Sequence, residues 1–215
     1  YKRQGIYMPY LLLFIGCIFL GLGVLGLFVP RLQSLDLLTV QILSENRSDY
    51  LNSITTFLAR VGGMPFVCFL SLLVCIYQAW YKKYITVIFI SVGVLGSIIT
   101  GWLLKWCVDR PRPPQAYHIV ESYGASFPSA HSVYASTLAC MAIIMLCHKP
   151  NTNSPYIILI SCLWFICMGL SRIYAGVHFP TDVLAGWGIG FIWIALLWLW
   201  LLQTQSRLSR KQIYF

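Results

Sequence analysis

The run YITVIFISVGVLGSIITGWLLK, residues 84–105, carries no charged side chain before its final residue, Lys105. A helix of about 20 apolar residues is long enough to cross the hydrocarbon core of a bilayer. Three further uncharged runs of this kind cover residues 9–29, 61–81 and 183–206. Two shorter apolar runs, residues 132–147 and 156–170, lie beside polar motifs, and we interpret them as spans that other helices partly surround.

The composition supports a membrane protein, since 59% of the 215 residues are hydrophobic and 10% are charged. A soluble domain of this size needs far fewer apolar residues. The sequence therefore predicts an all-α fold, a six-transmembrane-helix bundle in one domain over residues 1–215. The predicted spans lie at about residues 9–29, 61–81, 84–104, 128–147, 156–174 and 182–203. The first run exceeds the core of a signal peptide and shows no small-residue cleavage site, so we interpret it as a span.

The basic residues indicate how such a bundle is oriented, because six spans put both termini on one side of the membrane. The +9 formal charge divides into about +8 on the side of the termini, which has no acidic residue, and about +1 on the other side. This asymmetry predicts cytoplasmic termini. Short basic loops beside spans suit anionic membrane lipids, so nucleic acid is not an expected partner. The basic residues of the inner side are Lys2, Arg3, Lys82, Lys83, Lys149, Arg207, Arg210 and Lys211.

Two outer segments separate the spans. Residues 30–60 place apolar side chains at helical spacing, which predicts amphipathic helix that either packs on the membrane surface or forms a lid for lipid entry. Residues 109–127 are rich in proline and are not expected to form regular helix. Asp109 and Arg110, at the start of this loop, are neighbours that could pair with each other and are expected to be structural or solvated and not catalytic.

Lys105, Arg110 and Arg112 form a basic cluster just after the third span, on the outer side. Membrane anchoring explains this cluster poorly, because basic anchors are favoured on the inner side. Charged residues beside a span that anchoring does not explain are candidates for a functional site. The cluster therefore favours contact with an anion.

The stretch SFPSAHS, residues 126–132, begins the fourth span on the same side. Pro128 and Ser129 suit the start of a helix, and the free N–H groups of a helix N-terminus bind phosphate readily. A lone histidine at a membrane boundary is more often an interfacial residue than a catalyst. His131 is therefore a candidate catalytic residue only if other catalytic residues lie near it.

The stretch SRIYAGVHFPTD, residues 171–182, joins the fifth and sixth spans and returns Arg172, His178 and Asp182 to the outer side. The four-residue step from His178 to Asp182 lets the carboxylate bind one imidazole nitrogen and leaves the other free as a nucleophile. Phosphoryl transfer requires such a nucleophile, an acid on the other side of phosphorus, and cations around three equatorial oxygens. Three separate segments thus predict a phosphate-binding site at the external face.

The three segments resemble the motifs of the type 2 phosphatidic acid phosphatase (PAP2) family, which shares its type of phosphate pocket with the vanadium haloperoxidases. The motifs of that family are a lysine, six residues and Arg-Pro; Pro-Ser-Gly-His; and Ser-Arg, five residues, His, three residues and Asp. In this chain they are Lys105 with Arg112-Pro113, Pro128-Ser129-Ala130-His131, and Ser171-Arg172 with His178 and Asp182. Ala130 departs from the usual glycine, and its methyl group puts substrate fit in doubt.

The resemblance implies a role for each matched residue. His178 would attack phosphorus and form a phosphohistidine, Asp182 would orient it, and His131 would protonate the leaving oxygen and later help to activate water. The phosphate would be bound by Lys105, Arg112, Ser129, the Ala130 N–H and Arg172. The scheme needs no cofactor and no metal, and the sequence offers no obvious carboxylate cage for one.

The expected function is hydrolysis of a lipid phosphate or diphosphate at the outer leaflet of a bacterial inner membrane, with undecaprenyl diphosphate as the best single substrate. Phosphatidylglycerophosphate, phosphatidate, diacylglycerol diphosphate and lipid A phosphate stay open, as does transfer of the phosphate to another lipid. A vanadate-dependent peroxidase is a weaker alternative because those relatives are soluble. A non-enzymatic anion transporter would leave His131, His178 and Asp182 without a purpose. The expected partners are the lipid substrate and membrane lipids, and the oligomeric state is open.

We expect a topology reporter fused at residue 115 to be external and one fused at residue 150 to be cytoplasmic, because the basic loops mark the inner side. Alkaline phosphatase and green fluorescent protein fusions in whole cells provide the measurement. The opposite pattern would place the motif residues on the cytoplasmic side and contradict the predicted orientation.

Overall fold

The structure is a computed structural model that describes residues 4–147 and 154–211. All regular secondary structure in these two ranges is helical, which confirms the all-α prediction. Lys2, Arg3 and Lys149, three of the basic residues assigned to the inner side, lie outside the described residues. The helices are α1 (Gln4–Phe28), α2 (Pro30–Glu45), α3 (Asp49–Val61), α4 (Met64–Trp80), α5 (Tyr84–Val108), α6 (Ala130–Cys147), α7 (Ser154–Tyr174) and α8 (Pro180–Lys211), with a short 3-10 turn at Gln115–Tyr117.

Four stretches of helix are long and apolar enough to cross a membrane: Tyr7–Phe28, Tyr84–Val108, Pro155–Tyr174 and Pro180–Thr204. The helices α3 and α4 meet this condition only together, as a pair bent by 55°. The apolar part of α6, Ala130–Leu146, is shorter. The described part of the chain therefore contains four candidate spans, or five with the bent pair, where the sequence predicted six.

The short helix α6 lies in the interior of the bundle, in contact with α4, α5, α7 and α8. Its side chains Ser132, Ser136 and Thr137 are buried together with Val133 and Ala139. A helix that protein surrounds does not need a continuous apolar surface, because its neighbours and not lipid meet its polar groups. This position explains how α6 can carry several polar side chains inside a membrane-type bundle.

The helices α1 and α8 pack along each other through small residues. A Cβ atom added at Gly23 would lie 2.6 Å from the Cβ of Ala185 and 2.8 Å from the carbonyl oxygen of Thr181. A Cβ atom added at Gly188 would lie 2.5 Å from the backbone nitrogen of Leu20. Close backbone approach of this kind is a main source of helix association in lipid, where the hydrophobic effect between helices is absent.

Two tryptophans attach α8 to its other neighbours. The indole nitrogen of Trp187 donates to the carbonyl oxygen of Phe165 on α7 at 3.1 Å, and that of Trp193 donates to Gly93 on α5 at 2.9 Å. Gly96 leaves room for the second ring, since a Cβ atom there would lie 2.0 Å from Trp193. The position of α8 is thus fixed from several sides.

The outer helices α2 and α3 occupy residues 30–60 and present their apolar residues outward. On α2, Leu35, Leu38 and Ile42 are exposed, whereas Asp36 and Val40 are buried against the bundle. The helix α2 contacts α7 and α8, and α3 contacts α7. Residues 30–60 are thus largely helical, as the apolar spacing predicted, and α2 turns Asp36 toward the bundle.

We expect Gly23→Ala to lower the unfolding temperature of the protein in detergent, because the new methyl group would meet backbone atoms of α8. The control is Gly21→Ala on the same helix, where an added Cβ has no neighbour within 4 Å. Alanine is more favourable than glycine inside a helix by about 0.5–1 kcal/mol, so the control should keep or raise the unfolding temperature. Equal unfolding temperatures for the two variants would contradict the packing of α1 on α8.

Candidate active site

The residues of the three motifs meet at one end of the bundle. Lys105 lies in the last turn of α5, His131 in the first turn of α6 and Arg172 in the last turn of α7. His178 lies between α7 and α8, and Asp182 lies in the first turn of α8. All of these side chains except the partly buried His131 are almost fully enclosed. The bundle therefore gathers charged and titratable groups in a place that water hardly reaches.

His178 and Asp182 lie side by side, with His178 Nδ1 at 3.6 Å from Asp182 Oδ2. This distance is slightly longer than a direct hydrogen bond. Burial lowers the pKa of His178 to about 3, although Asp182 opposes the shift, so the imidazole is neutral at pH 7. With its proton on Nδ1, toward the carboxylate, the ring has a lone pair on Nε2, which faces Arg112 Nη1 at 3.3 Å.

The carboxylate of Asp182 accepts hydrogen bonds from three sides. Asp182 Oδ2 accepts from Ser126 Oγ at 2.5 Å and from the backbone nitrogen of Phe179 at 2.9 Å. Asp182 Oδ1 accepts from Arg110 Nη1 at 2.7 Å. Hydrogen bonds to the charged form of a carboxyl group favour that form, so Asp182 can stay ionised although it is fully buried.

Arg112 is fixed by carbonyl groups on two sides of the site. Its Nη1 donates to the carbonyl oxygen of Val177 at 2.8 Å, next to His178. Its Nε donates to Gly124 at 2.9 Å and its Nη2 to Tyr123 at 2.7 Å, both in the proline-rich loop of residues 109–127, named the outer loop after its predicted position. The guanidinium group therefore has a defined position beside the imidazole.

Lys105 is held by the same loop, since its Nζ donates to the carbonyl oxygen of Ala125 at 2.5 Å. The side chain is 3% exposed, and its charge interacts with those of Arg112 and Asp182. The outer loop thus anchors both cations of the first motif through backbone carbonyl groups, which the sequence motif alone does not reveal.

The start of α6 brings the second motif to Asp182. The backbone nitrogen of Ser129 donates to the carbonyl oxygen of Asp182 at 3.1 Å, and its hydroxyl oxygen accepts from Ser132 Oγ at 3.0 Å. Gly186 permits this approach, because a Cβ atom there would lie 2.7 Å from the carbonyl oxygen of Ser129. The N–H groups in the first turn of a helix have no intrahelical acceptor, so this helix start can bind an anion.

Ala130 is the first residue of α6. Among the described residues, the non-glycine residues with positive φ are Lys82 and Asp109. Ala130 therefore adopts a backbone conformation that alanine tolerates, and the restriction expected from its methyl group does not apply to the backbone.

The helix α3, which contains none of the motifs, contacts two of the site residues through its backbone. His131 Nε2 lies 3.0 Å from the carbonyl oxygen of Ala59, and Arg172 Nη2 donates to that of Thr55 at 3.2 Å. The charges of Arg172 and Lys105 in turn act on His131. Because the contacts are made by carbonyl groups, no residue type in α3 signals them in the sequence.

Arg110 does not form the ion pair with Asp109 that the sequence allowed. Asp109 adopts a left-handed conformation with φ of 44° at the end of α5 and is exposed, while Arg110 points into the bundle. Arg110 Nη1 lies 2.7 Å from Asp182 Oδ1, and its Nη2 lies 2.9 Å from Asp36 Oδ2. The signal that could have identified Asp36 is its place as a lone acid among the leucines of α2.

The outer loop is anchored on the opposite side by Arg47, which lies between α2 and α3. Its Nη2 donates to the carbonyl oxygens of Tyr117 at 2.5 Å and Tyr174 at 2.9 Å. Gly176 has φ of 75°, and a Cβ atom there would lie 2.0 Å from the carbonyl oxygen of Tyr117. Glycine is required at this position because both the conformation and the close contact exclude a side chain.

The sequence profile of the PAP2 superfamily matches residues 80–206. The chain belongs to the PAP2 superfamily. It is 28% identical over 154 residues to phosphatidylglycerophosphatase B from Bacillus subtilis (strain 168), covering 68% of this chain and 73% of that protein. It is 25% identical over 162 residues to undecaprenyl-diphosphatase from Sulfolobus acidocaldarius, covering 73% of each chain.

Two solved structures of PAP2 relatives are similar to this fold. The crystal structure of a transmembrane PAP2 type phosphatidylglycerolphosphate phosphatase from Bacillus subtilis superimposes with a TM-score of 0.74 at 26% identity, covering 89% of this chain and 94% of that one. LpxE from Aquifex aeolicus gives a TM-score of 0.61 at 26% identity, covering 77% and 94%. This PAP2 chain is thus an integral membrane protein and a phosphoric ester hydrolase of the lipid phosphatase type.

Proposed function

We propose that this PAP2 protein removes phosphate from a lipid diphosphate through a phosphohistidine at His178, with undecaprenyl diphosphate as the first candidate substrate. The observation that carries the proposal is the environment of one imidazole. His178 is buried and neutral, with Asp182 beside Nδ1 and Arg112 beside Nε2. A neutral ring with a carboxylate on one side and a cation on the other is suited to attack a phosphoryl group.

In the first step the lone pair on Nε2 of His178 attacks phosphorus, and the bond from phosphorus to the leaving oxygen breaks. His131 donates a proton to that oxygen, so a lipid monophosphate leaves from a diphosphate, or a lipid alcohol from a monophosphate. Asp182 stabilises the proton on Nδ1 as the ring becomes positively charged. The helix α3 supports this role of His131 through the carbonyl group of Ala59.

The charge of the transferring group is balanced by the cations that surround the site. Lys105, Arg112 and Arg172 come from α5, the outer loop and α7. Ser129 and the N–H of Ala130 add donors at the start of α6. These groups are in place before the reaction, and preorganised donors stabilise a transition state more than water does.

In the second step a water molecule attacks the phosphohistidine, and the bond between phosphorus and Nε2 breaks. His131, now without its proton, accepts a proton from this water, and inorganic phosphate leaves. His131 is then protonated again and His178 is neutral, so the enzyme has returned to its starting state.

A groove beside the site supports a lipid as the leaving group. This open groove of about 690 Å³ lies between the ends of α1 and α5 and helix α2, and its walls include Leu27, Phe28, Leu37 and Phe179. Arg110 and Arg112 also line it. A largely apolar groove that includes cations suits an amphiphile with a phosphate group.

Two relatives bear on the substrate. The protein from Sulfolobus acidocaldarius is named an undecaprenyl-diphosphatase, and its match extends over nearly three quarters of both chains. Phosphatidylglycerophosphate is the second candidate. Phosphatidylglycerophosphatase B from Bacillus subtilis is similar in sequence, and the phosphatidylglycerolphosphate phosphatase structure from Bacillus subtilis is similar in fold. Phosphatidate, diacylglycerol diphosphate and lipid A phosphate would use the same chemistry, as would transfer of the phosphate to a second lipid in place of water.

The location of the reaction is also part of the proposal. We place it at the outer leaflet of a bacterial inner membrane, in a bundle of six spans with cytoplasmic termini. The distribution of basic residues supports this orientation. The two remaining spans would be α4 and α6, which lie at positions predicted from the sequence to cross the membrane.

Purified protein should release phosphate from a lipid diphosphate in the presence of a chelator, and vanadate should inhibit the release because it mimics the transferring phosphoryl group. Initial rates on undecaprenyl diphosphate, phosphatidylglycerophosphate, phosphatidate and lipid A would rank the substrates. His178→Ala should abolish turnover, a loss of at least about 10³-fold, because it removes the nucleophile.

The matched control is His148→Ala, because His148 is predicted to lie on the opposite side of the membrane from the motifs. This variant should keep wild-type turnover. Full turnover by His178→Ala would show that the proposed mechanism is wrong. Faster turnover of phosphatidylglycerophosphate than of undecaprenyl diphosphate would change the proposed substrate and leave the proposed mechanism unchanged.

A further inference from the structure

Arg110 joins two buried carboxylates that belong to different helices. It is 2.9 Å from Asp36 of α2 and 2.7 Å from Asp182 of α8, and the exposed fractions of the three side chains are 10%, 2% and 0%. Buried charges are stable only when they are paired and hydrogen bonded. Because one cation faces two anions, the cluster keeps a net negative charge next to His178.

The orientation of Arg110 is fixed by four partners. Besides the two carboxylates, Nη1 donates to Thr181 Oγ1 at 2.9 Å, and the guanidinium carbon lies 4.3 Å from the centre of the Phe179 ring. A planar guanidinium group in such surroundings has little rotational freedom. Arg110 therefore acts as a rigid link between α2 and the start of α8.

The two oxygens of Asp182 have different partners. Oδ1 accepts from Arg110, whereas Oδ2 points toward His178 and also accepts from Ser126 and from the backbone of Phe179. Anchoring Oδ1 prevents the carboxylate from rotating about its side-chain bond. The direction of Oδ2, and with it the position of the His178 ring, depends on the Arg110 contact.

Asp36 changes the electrostatic environment of Asp182 through Arg110. Without Asp36, the full positive charge of Arg110 would compensate Asp182 alone and weaken its attraction for the positive charge that develops on His178. Asp36 also accepts hydrogen bonds from the backbone nitrogen and the hydroxyl group of Thr181, which hold the first turn of α8. The other charged groups that face His178 are Arg112 and Lys105, and both are cations.

We propose that Arg110 and Asp36 are positioning residues for the nucleophile: Arg110 orients Asp182, and Asp36 offsets the charge of Arg110 so that Asp182 can support phosphorylation of His178. This inference rests on the proposed function. It assigns a catalytic effect to α2, a helix that carries none of the PAP2 motifs and that reaches the site through Asp36.

The test compares Asp36→Asn and Arg110→Lys in steady-state hydrolysis of the best lipid substrate. Asp36→Asn keeps the shape of the side chain and removes its charge, while Arg110→Lys keeps the charge and removes the fork that reaches both carboxylates. Each variant should lower kcat by on the order of tenfold to a hundredfold, the cost typical of a displaced catalytic group. KM should stay within about twofold, because neither residue binds the phosphate.

A double-mutant comparison separates positioning from simple stabilisation. If both residues act through Asp182, the variant that combines Asp36→Asn with Arg110→Lys should be no slower than the slower single variant. Neither change should reduce the residual turnover of Asp182→Asn. Glu45→Gln is the matched control, because Glu45 lies on the same helix, is exposed and contacts Gln41. The control should keep wild-type kcat.

The unfolding temperature and inorganic vanadate binding are measured for every variant. Asp36→Asn is the milder change. If Arg110→Lys does not fold, the kcat of Asp36→Asn alone provides the test. Wild-type kcat in folded Asp36→Asn, or a loss of kcat that adds fully to that of Asp182→Asn, would overturn the positioning role and leave the proposed function intact. If the wild type released no phosphate from any lipid, or if His178→Ala kept wild-type turnover, the proposed function and this inference would both fail.

Discussion

The buried carboxylate of Asp182 connects all parts of the candidate site. One oxygen accepts from Arg110, and the other accepts from Ser126 and the backbone of Phe179 and lies beside His178. These donors come from the outer loop and from the turn before α8. A fully buried anion is stable only while such donors surround it. The loop, the helix start and the histidine must therefore adopt their positions together, and the loss of one partner affects the others.

The packing of the helices provides the backbone positions that this carboxylate needs. A Cβ atom added at Gly26 of α1 would lie 2.5 Å from the side chain of Thr181, which is part of the Arg110 cluster. Gly186 similarly lets the start of α6 approach α8, so that Ser129 reaches Asp182. Small residues in membrane helices are usually explained by helix association. In this protein the same residues also allow polar contacts, since Gly26 leaves room for Thr181 and Gly186 lets Ser129 reach Asp182.

Membrane character and the grouping of the motifs could be predicted from the sequence, because apolar run length and the residue types needed for phosphoryl transfer are both restrictive. The number of spans could not be settled from the sequence, since the apolar part of α6 is shorter than a full span and α3 and α4 are long enough only as a bent pair. Asp36 was missed because its contacts depend on which face of α2 turns inward. The sequence allowed Arg110 to pair with its neighbour Asp109, but the left-handed conformation at Asp109 separates the two side chains. The contacts of Ala59 with His131 involve a backbone carbonyl, which sequence does not encode by residue type.

The most direct test of the account is to trap the covalent intermediate. Protein is quenched during turnover of a lipid diphosphate labelled with ³²P on its terminal phosphate, and the bound label is located by peptide mapping under alkaline conditions. The account predicts label on His178 that is stable in alkali, labile in acid and absent from His178→Ala. Label on another residue, or rapid turnover with no protein-bound label at any quench time, would contradict it.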